Sequence, residues 1–316
     1  MEMRALGRSG LSVPPVVFGG NVFGWTADRA MSFRLLDACL ERGLVAIDTA
    51  DVYSAWVAGH AGGESEAIMG EWLKARPGAR DRVLILTKCG MEIPGQGKGL
   101  SPAWIAKACE ASLARLGLER IDLYQAHKDD EAVPLADTLG AFQRLIEAGK
   151  VRAIGSSNYG AARLKAALDL SEAQGLPRFE SHQPVYNLMD RGIEADLLPL
   201  CRERGVGVIT YSSLASGFLT GKYRGEADLG KSVRGARSVA KHMGAKGDRV
   251  LAALDAVAKA RGVTPAAIAL AWQIARPGIT APIASATSPE QLGELARAAE
   301  LALTAEEMAA LDAASA

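Results

Sequence analysis

The chain is poor in the features that mark several common classes of protein. It has four cysteines in 316 residues, Cys39, Cys89, Cys109 and Cys201, and no two form a Cys-x-x-Cys pair. That spacing argues against a zinc site and fits a reducing compartment. No run of about 18 apolar residues occurs, so no membrane span is expected. Met1-Glu2-Met3-Arg4 lacks the apolar core of a signal peptide. Lys plus Arg equals Asp plus Glu at 36 each, which leaves no bulk charge to attract nucleic acid or a membrane. There is also no linker, charge block or low-complexity tract. These absences give the expectation of a cytoplasmic protein folding as one domain over 1–316, with a small molecule rather than a macromolecule as its partner.

What is present is a large supply of core. Hydrophobic residues make up 49% of the chain, enough to stabilise a domain of this size without disulfides or a structural metal. Short apolar runs at 16–18, 45–48, 83–87, 121–125, 153–155, 179–185, 207–210 and 279–283 are bounded by polar or glycine residues, as buried parallel strands are. Amphipathic helical spacing lies between them, at 30–42, 64–76, 102–116, 134–148, 161–173 and 195–204. Ser101-Pro102 is a helix-start signal, an N-cap followed by proline at the first helical position.

Eight strands with helical crossovers predict a closed (β/α)8 TIM barrel in the α/β class. Residues 3–6 and 11–13 read as an N-terminal β-hairpin across the barrel bottom. The stretch 217–246 is basic and loop-like; helices follow at 248–259 and 265–274, and extra C-terminal helix at 305–314 opens with a Thr304/Glu307 capping box. An open doubly wound sheet would want Gly-x-Gly-x-x-Gly after its first strand. Here that stretch reads Gly19-Gly20-Asn21-Val22-Phe23-Gly24, with Asn21 in place of the second glycine.

Barrel chemistry sits at the ends of strands. The second strand ends at Asp48, with Tyr53 five residues on; the third ends at Lys88 and the fourth near His127. A phenol has a pKa of about 10 and donates a proton at neutral pH only if its anion is stabilised. Lys88 would supply that cation, Asp48 would keep the lysine from being buried alone, and His127 could hydrogen-bond a carbonyl oxygen. An acid aimed at a carbonyl oxygen needs a nucleophile at carbon. No metal cluster or activated Ser or Cys is visible, which leaves a hydride donor and hence a nicotinamide.

At this point the chain resembles the aldo-keto reductases. The matching stretches are Asp48-Thr49-Ala50-Asp51-Val52-Tyr53, Thr87-Lys88, Leu123-Tyr124-Gln125-Ala126-His127, residues 149–158 ending in Gly155-Ser156-Ser157-Asn158, Gln183-Pro184-Val185-Tyr186-Asn187-Leu188, and residues 211–223 from Tyr211-Ser212-Ser213-Leu214 to Gly221-Lys222-Tyr223. The resemblance runs from the hairpin to about Leu295. It implies a reductase of aldehydes or ketones using NADPH, with NADH as the alternative, and a catalytic tetrad of Asp48, Tyr53, Lys88 and His127.

The same resemblance implies cofactor contacts. Ser157, Asn158 and Gln183 would hold the nicotinamide carboxamide, and Tyr211 would stack on its ring. Ser212, Leu214 and Gly217 would line the pyrophosphate channel, with Lys222 near a phosphate. Ser285, Thr287, Gln291 and Glu294, in a last loop over 283–295, would meet the adenosine end. Two departures stand out. Residues 284–288 read Ala-Ser-Ala-Thr-Ser with no cation for a 2′-phosphate, and Leu295 stands where the family usually has Asn.

Two other functions fit parts of the pattern. A Lys88 nucleophile would make the protein a Schiff-base lyase or aldolase. A nucleotide-binding regulatory subunit would keep the cofactor site without turnover. Among single residues, His182 should point away from Gln183 and be structural. Trp56, His60 and Phe23 fall in loops at the site end, and Trp25, Trp72, Trp104 and Trp272 read as packing residues.

Overall fold

The computed structural model describes residues 1–233 and 238–316, so the basic stretch 217–246 lies partly outside the described residues. Strands β1 (Arg4–Ala5) and β2 (Ser12–Val13) form an antiparallel hairpin. Eight parallel strands then close a barrel: β3 (Val17–Gly19), β4 (Ala46–Asp48), β5 (Leu84–Cys89), β6 (Ile121–Ala126), β7 (Val151–Ser157), β8 (Ser181–Gln183), β9 (Gly207–Thr210) and β10 (Ile279–Ala284). Each pairs with the next, and β10 closes on β3.

One helix follows each of the first six barrel strands: α1 (Arg29–Glu41), α2 (Glu64–Ala75), α3 (Pro102–Leu116), α4 (Leu135–Glu147), α5 (Ala161–Gln174) and α6 (Leu197–Arg204). After β9 the chain makes short 3-10 turns, then α7 (Ala245–Arg261) and α8 (Pro265–Ala275) precede β10. Helices α9 (Pro289–Ala298) and α10 (Ala305–Ser315) end the chain. The architecture is a (β/α)8 barrel. Among the described residues, no helix is long and apolar enough to cross a membrane.

Local chemistry sets the helix ends. Ser101, Thr264 and Ser288 each accept a hydrogen bond from the backbone N–H three residues on, and each is followed by proline. These groups satisfy N–H donors that a helix start leaves open. Thr304 and Glu307 form the reciprocal capping box on α10. Helix α3 closes at Gly117, whose φ of +64° suits glycine.

Packing divides the core by strand alternation. Outward residues such as Phe18, Ile47, Ile85, Tyr124 and Ile154 join the helices in one large cluster, where Trp72 and Trp272 are buried. Inward residues Val17, Ala46, Leu86, Leu123, Ala153, Ile209, Ala281 and Ile283 form a separate cluster inside the barrel. Leu6, Leu11 and Val13 of the hairpin segment belong to it, so the hairpin plugs the barrel from below. Full burial of such side chains stabilises by about 1.5–3 kcal/mol each. This plug makes one end of the barrel solid and leaves the other for chemistry.

Several boundaries differ from the sequence expectation, β7 by two residues at each end, and two differences bear on the site. Strand β8 covers three residues rather than the run 179–185. Pro184 follows it directly, and proline has no N–H for a ladder. The segment read as a loop over 283–295 contains most of α9.

Candidate active site

Alternation that fills the barrel with apolar side chains also builds the site. A residue two positions after an inward one also points inward. Asp48 follows Ala46, Lys88 follows Leu86, Gln125 follows Leu123 and Tyr211 follows Ile209. A layer of polar groups therefore caps the apolar interior. The register sets Lys88 beside Gln125, and Ser157 beside Gln183.

Lys88 is the centre of this layer and is 0% exposed. Its ammonium donates to Asp48 Oδ1 at 2.6 Å, to the Thr49 carbonyl at 2.7 Å and to the Tyr53 hydroxyl oxygen at 3.4 Å. Three N–H groups thus have three acceptors. Burial opposes the charge, but the Asp48 carboxylate and the Tyr53 oxygen outweigh it and hold the lysine above its ordinary pKa. Asp48 Oδ2 in turn accepts from Gln183 Nε2 at 2.9 Å and from Gln125 Nε2 at 3.4 Å.

Tyr53 is fixed through its backbone. Its N–H donates to the Ala50 carbonyl at 3.1 Å, and its carbonyl accepts from Gly63 at 2.8 Å and Ser65 at 3.3 Å. The next residue, Ser54, donates its hydroxyl to the Phe23 carbonyl at 3.0 Å. Glu64 gathers the loop by accepting from the N–H groups of Ser54, Ala61 and Gly62. Burial disfavours that carboxylate, yet these backbone bonds outweigh it and keep its pKa below the ordinary value.

His127 donates its backbone N–H to the Cys89 carbonyl at 2.8 Å. Its ring meets that of Tyr53 edge-on, with centroids 5.9 Å apart. Burial, and then the Lys88 charge, push its pKa well below 6.5, so the imidazole is neutral near pH 7. A neutral ring offers one N–H donor and one acceptor. All four expected tetrad residues are therefore brought together at one end of the barrel.

The expected cofactor residues fall into two groups. Ser157, Asn158 and Gln183 sit beside the tetrad and are bonded to it and to each other. Ser157 Oγ donates to the Gln183 carbonyl at 2.8 Å, and Asn158 Nδ2 donates to the His127 carbonyl at 2.9 Å. Asn158 Oδ1 accepts from the Tyr211 hydroxyl at 2.8 Å. The rest follow a cavity of about 740 Å³ that starts at Asp48, Tyr53 and Gln183. Tyr211, Ser212, Leu214, Gly217 and Lys222 form its middle wall, and Ser285, Thr287, Gln291 and Glu294 its far end; Ser157 and Asn158 are not on the wall.

The middle wall is tightly folded. Ser212, Ala215 and Ser216 have φ of 53°, 48° and 58°, in the left-handed region that non-glycine residues rarely adopt. Such residues cost about 1–3 kcal/mol each and cluster where chains clamp ligands. At the far end the first turn of α9 folds back on the loop after β10. The Gln291 side-chain oxygen accepts from Thr287 N at 2.9 Å, and Glu294 accepts from Thr264 at 2.6 Å.

A sequence profile of the Aldo/keto reductase family matches residues 15–316. The chain belongs to the aldo/keto reductase family. It is 34% identical over 312 residues to the uncharacterized oxidoreductase YrpG of Bacillus subtilis (strain 168), covering 97% of this chain and 93% of that protein. It is 31% identical over 328 residues to aldo-keto reductase NECHADRAFT_45914 of Fusarium vanettenii, covering 93% and 85%. A probable voltage-gated potassium channel subunit beta of Arabidopsis thaliana is 32% identical over 309 residues, covering 95% and 92%. The family is thus one of oxidoreductases that also includes a relative named for a channel.

Several features of this aldo/keto reductase site escape a reading of motifs. Gln125 and the Thr49 carbonyl complete the shells of Asp48 and Lys88; Gln125 lies near the end of β6, two residues before His127, which is the signal for it. Phe23 is not in the pocket: it is fully buried and stacks on Phe18 at 5.6 Å. Trp25 is not a core residue but meets Trp56 at the rim, edge-on at 5.5 Å. His182 is buried outside the barrel wall, bonded to Ser156 at 2.8 Å, as its place on the strand implies.

Proposed function

We propose that this chain reduces an aldehyde or ketone to an alcohol, with NADPH as its cofactor and Tyr53 as the general acid. The observation that carries this reading is the contact of the buried Lys88 ammonium with both Asp48 and the Tyr53 oxygen at the mouth of the cavity. A nicotinamide held in the cavity by Tyr211, Ser212 and Gln183 would supply hydride to the carbonyl carbon. Tyr53 gives its O–H proton to the carbonyl oxygen, and the phenolate it leaves lies 3.4 Å from the Lys88 cation. Neutral His127 orients that oxygen by donating an N–H.

The cavity fits such a cofactor. Its volume of about 740 Å³ lies within the range of about 300–1,000 Å³ for ligand pockets. Tyr211 offers a ring face near the tetrad, Lys222 and Lys231 stand on the wall as cations, and Ser285 and Thr287 offer hydroxyls at the far end. Those hydroxyls donate to Asn21 and Gln291, so they would have to turn from these acceptors to meet a 2′-phosphate, and Glu294 works against one; the choice of NADPH follows the family resemblance.

A Schiff-base reading fares worse on the same geometry. A nucleophilic lysine is a neutral amine with a lowered pKa. Lys88 is instead held charged, with every ammonium proton engaged. A regulatory role of the kind named for the channel relative is separated by turnover. Purified protein should oxidise NADPH with an aromatic aldehyde, and bind NADPH more tightly than NADH in a fluorescence titration. Tyr53→Phe should lose at least about 100-fold in kcat, the lower bound for a positioned acid, with NADPH affinity unchanged. A variant that keeps full turnover would overturn the assignment of Tyr53. Tight binding with no turnover would favour the regulatory role.

A further inference from the structure

We infer that Trp56, braced by Trp25, is the specificity-determining residue of the substrate site, and that it selects a neutral carbonyl compound with a flat aromatic body. The inference rests on the reductase reading above. Trp56 lies three residues after Tyr53, in the loop after β4, and is 44% exposed. Its ring meets those of Tyr53 and Trp25 edge-on, each at 5.5 Å between centroids. The order Trp25, Trp56, Tyr53, His127 thus forms one file of rings leading to the proposed proton donor.

Two edge contacts hold the indole while leaving almost half of it in water. That is an unfavourable place for the largest apolar side chain unless something covers it. The loop beneath it is not slack, because Glu64 takes three of its N–H groups. A preordered, half-open ring loses little entropy when an aromatic body lies against it.

The surroundings define the chemistry of that body. Among the described residues six large apolar side chains are exposed. Four of them, Trp56, Met91, Val185 and Val233, follow the ends of β4, β5, β8 and β9, on the rim above the site. Residues 21–27 and 53–63, which carry the two tryptophans, contain no Lys, Arg, Asp or Glu. These two segments themselves offer a carboxylate or phosphate no counter-charge, whereas an aryl group would find a stacking partner in them.

Steady-state kinetics on the full chain test this with two aldehydes, 2-naphthaldehyde and propanal. Trp56→Ala should raise KM for 2-naphthaldehyde about ten-fold, equivalent to 1.4 kcal/mol. KM for propanal and the NADPH dissociation constant should stay within about two-fold, and Trp56→Phe should recover most of the loss because it restores a ring. Equal changes for both aldehydes, or no change for either, would overturn the role of Trp56. Wild-type protein that turns over neither aldehyde would instead sink the reductase reading, and this inference with it.

Discussion

Asp51 provides a sharp test of the electrostatics beneath the site. It lies two residues before Tyr53 and is fully buried, and its backbone N–H donates to the Lys88 carbonyl at 3.1 Å. Neither side-chain oxygen meets a partner in ordinary hydrogen-bond geometry. Burial, then the Glu66 charge, push its pKa up to about 8, against the weaker pull of Arg115, the Val52 amide and Lys88. The folded protein therefore binds this proton more tightly than the unfolded chain, where an aspartate titrates near 3.9. Stability from this group is fully present below about pH 4, falls as pH rises through the interval, and is lost above about pH 8. Each pH unit between is worth about 1.4 kcal/mol, or about 6 kcal/mol across the whole interval. Asp51→Asn keeps the shape and removes the titration. Urea unfolding of wild type and variant, followed by tryptophan fluorescence from pH 5 to pH 9, isolates the effect as a difference at matched pH. With Asn standing in for the protonated acid, the variant should exceed wild type by about 1–2 kcal/mol at pH 5 and by about 5–6 kcal/mol at pH 8.5. Two stability profiles that run parallel over this range would refute the reasoning.

The contrast between Asp48 and Asp51 shows what a sequence exposes and what it hides. Both stand in one six-residue stretch. Asp48 is legible because period-two alternation sends it into the barrel beside Lys88 on the next strand. The barrel itself is legible for the same reason: apolar runs of strand length recur with helical spacing between them. Asp51 lies past the strand end, where no periodicity applies, and its environment is made by Glu66 on α2 and Arg115 on α3. Trp25 and Phe23 make the same point. They are two residues apart in one loop, yet one packs on Phe18 and the other stands at the rim, a difference set by tertiary contacts alone. Helix α9 is a different kind of miss. Ser288-Pro289 carries the same start signal as Ser101-Pro102, but the helix has only ten residues and its first turns fall among the residues expected to meet the adenosine end.

Three further substitutions probe packing and polar satisfaction. Gln183→Leu removes the 2.9 Å donor to Asp48 Oδ2 and should destabilise by about 1–3 kcal/mol in urea unfolding, although leucine is the more apolar residue. A variant as stable as wild type would mean that Gln125, at 3.4 Å, is sufficient for that oxygen. Glycine-to-alanine changes on two helices should move in opposite directions. Alanine is favoured over glycine in a helix interior by about 1 kcal/mol. At Gly140 on α4 an added Cβ meets only the Arg144 guanidinium, at 3.8 Å, so Gly140→Ala should raise the urea midpoint. At Gly70 on α2 the same Cβ would fall 2.1 Å from the Arg115 carbonyl oxygen and 2.9 Å from the Leu116 carbonyl carbon. Those are backbone atoms of α3 and cannot swing aside as a side chain can. Helix α2 would have to lift from α3, and overpacking of this kind costs about 1–3 kcal/mol, enough to outweigh the propensity gain. The lift would also pull Glu66 from its Arg115 partner at 2.7 Å and disturb the loop that Glu64 gathers around Tyr53. Gly70→Ala should therefore lower both the urea midpoint and the turnover, and equal stability of the two alanine variants would show that the close approach of α2 to α3 is not what requires glycine at this position.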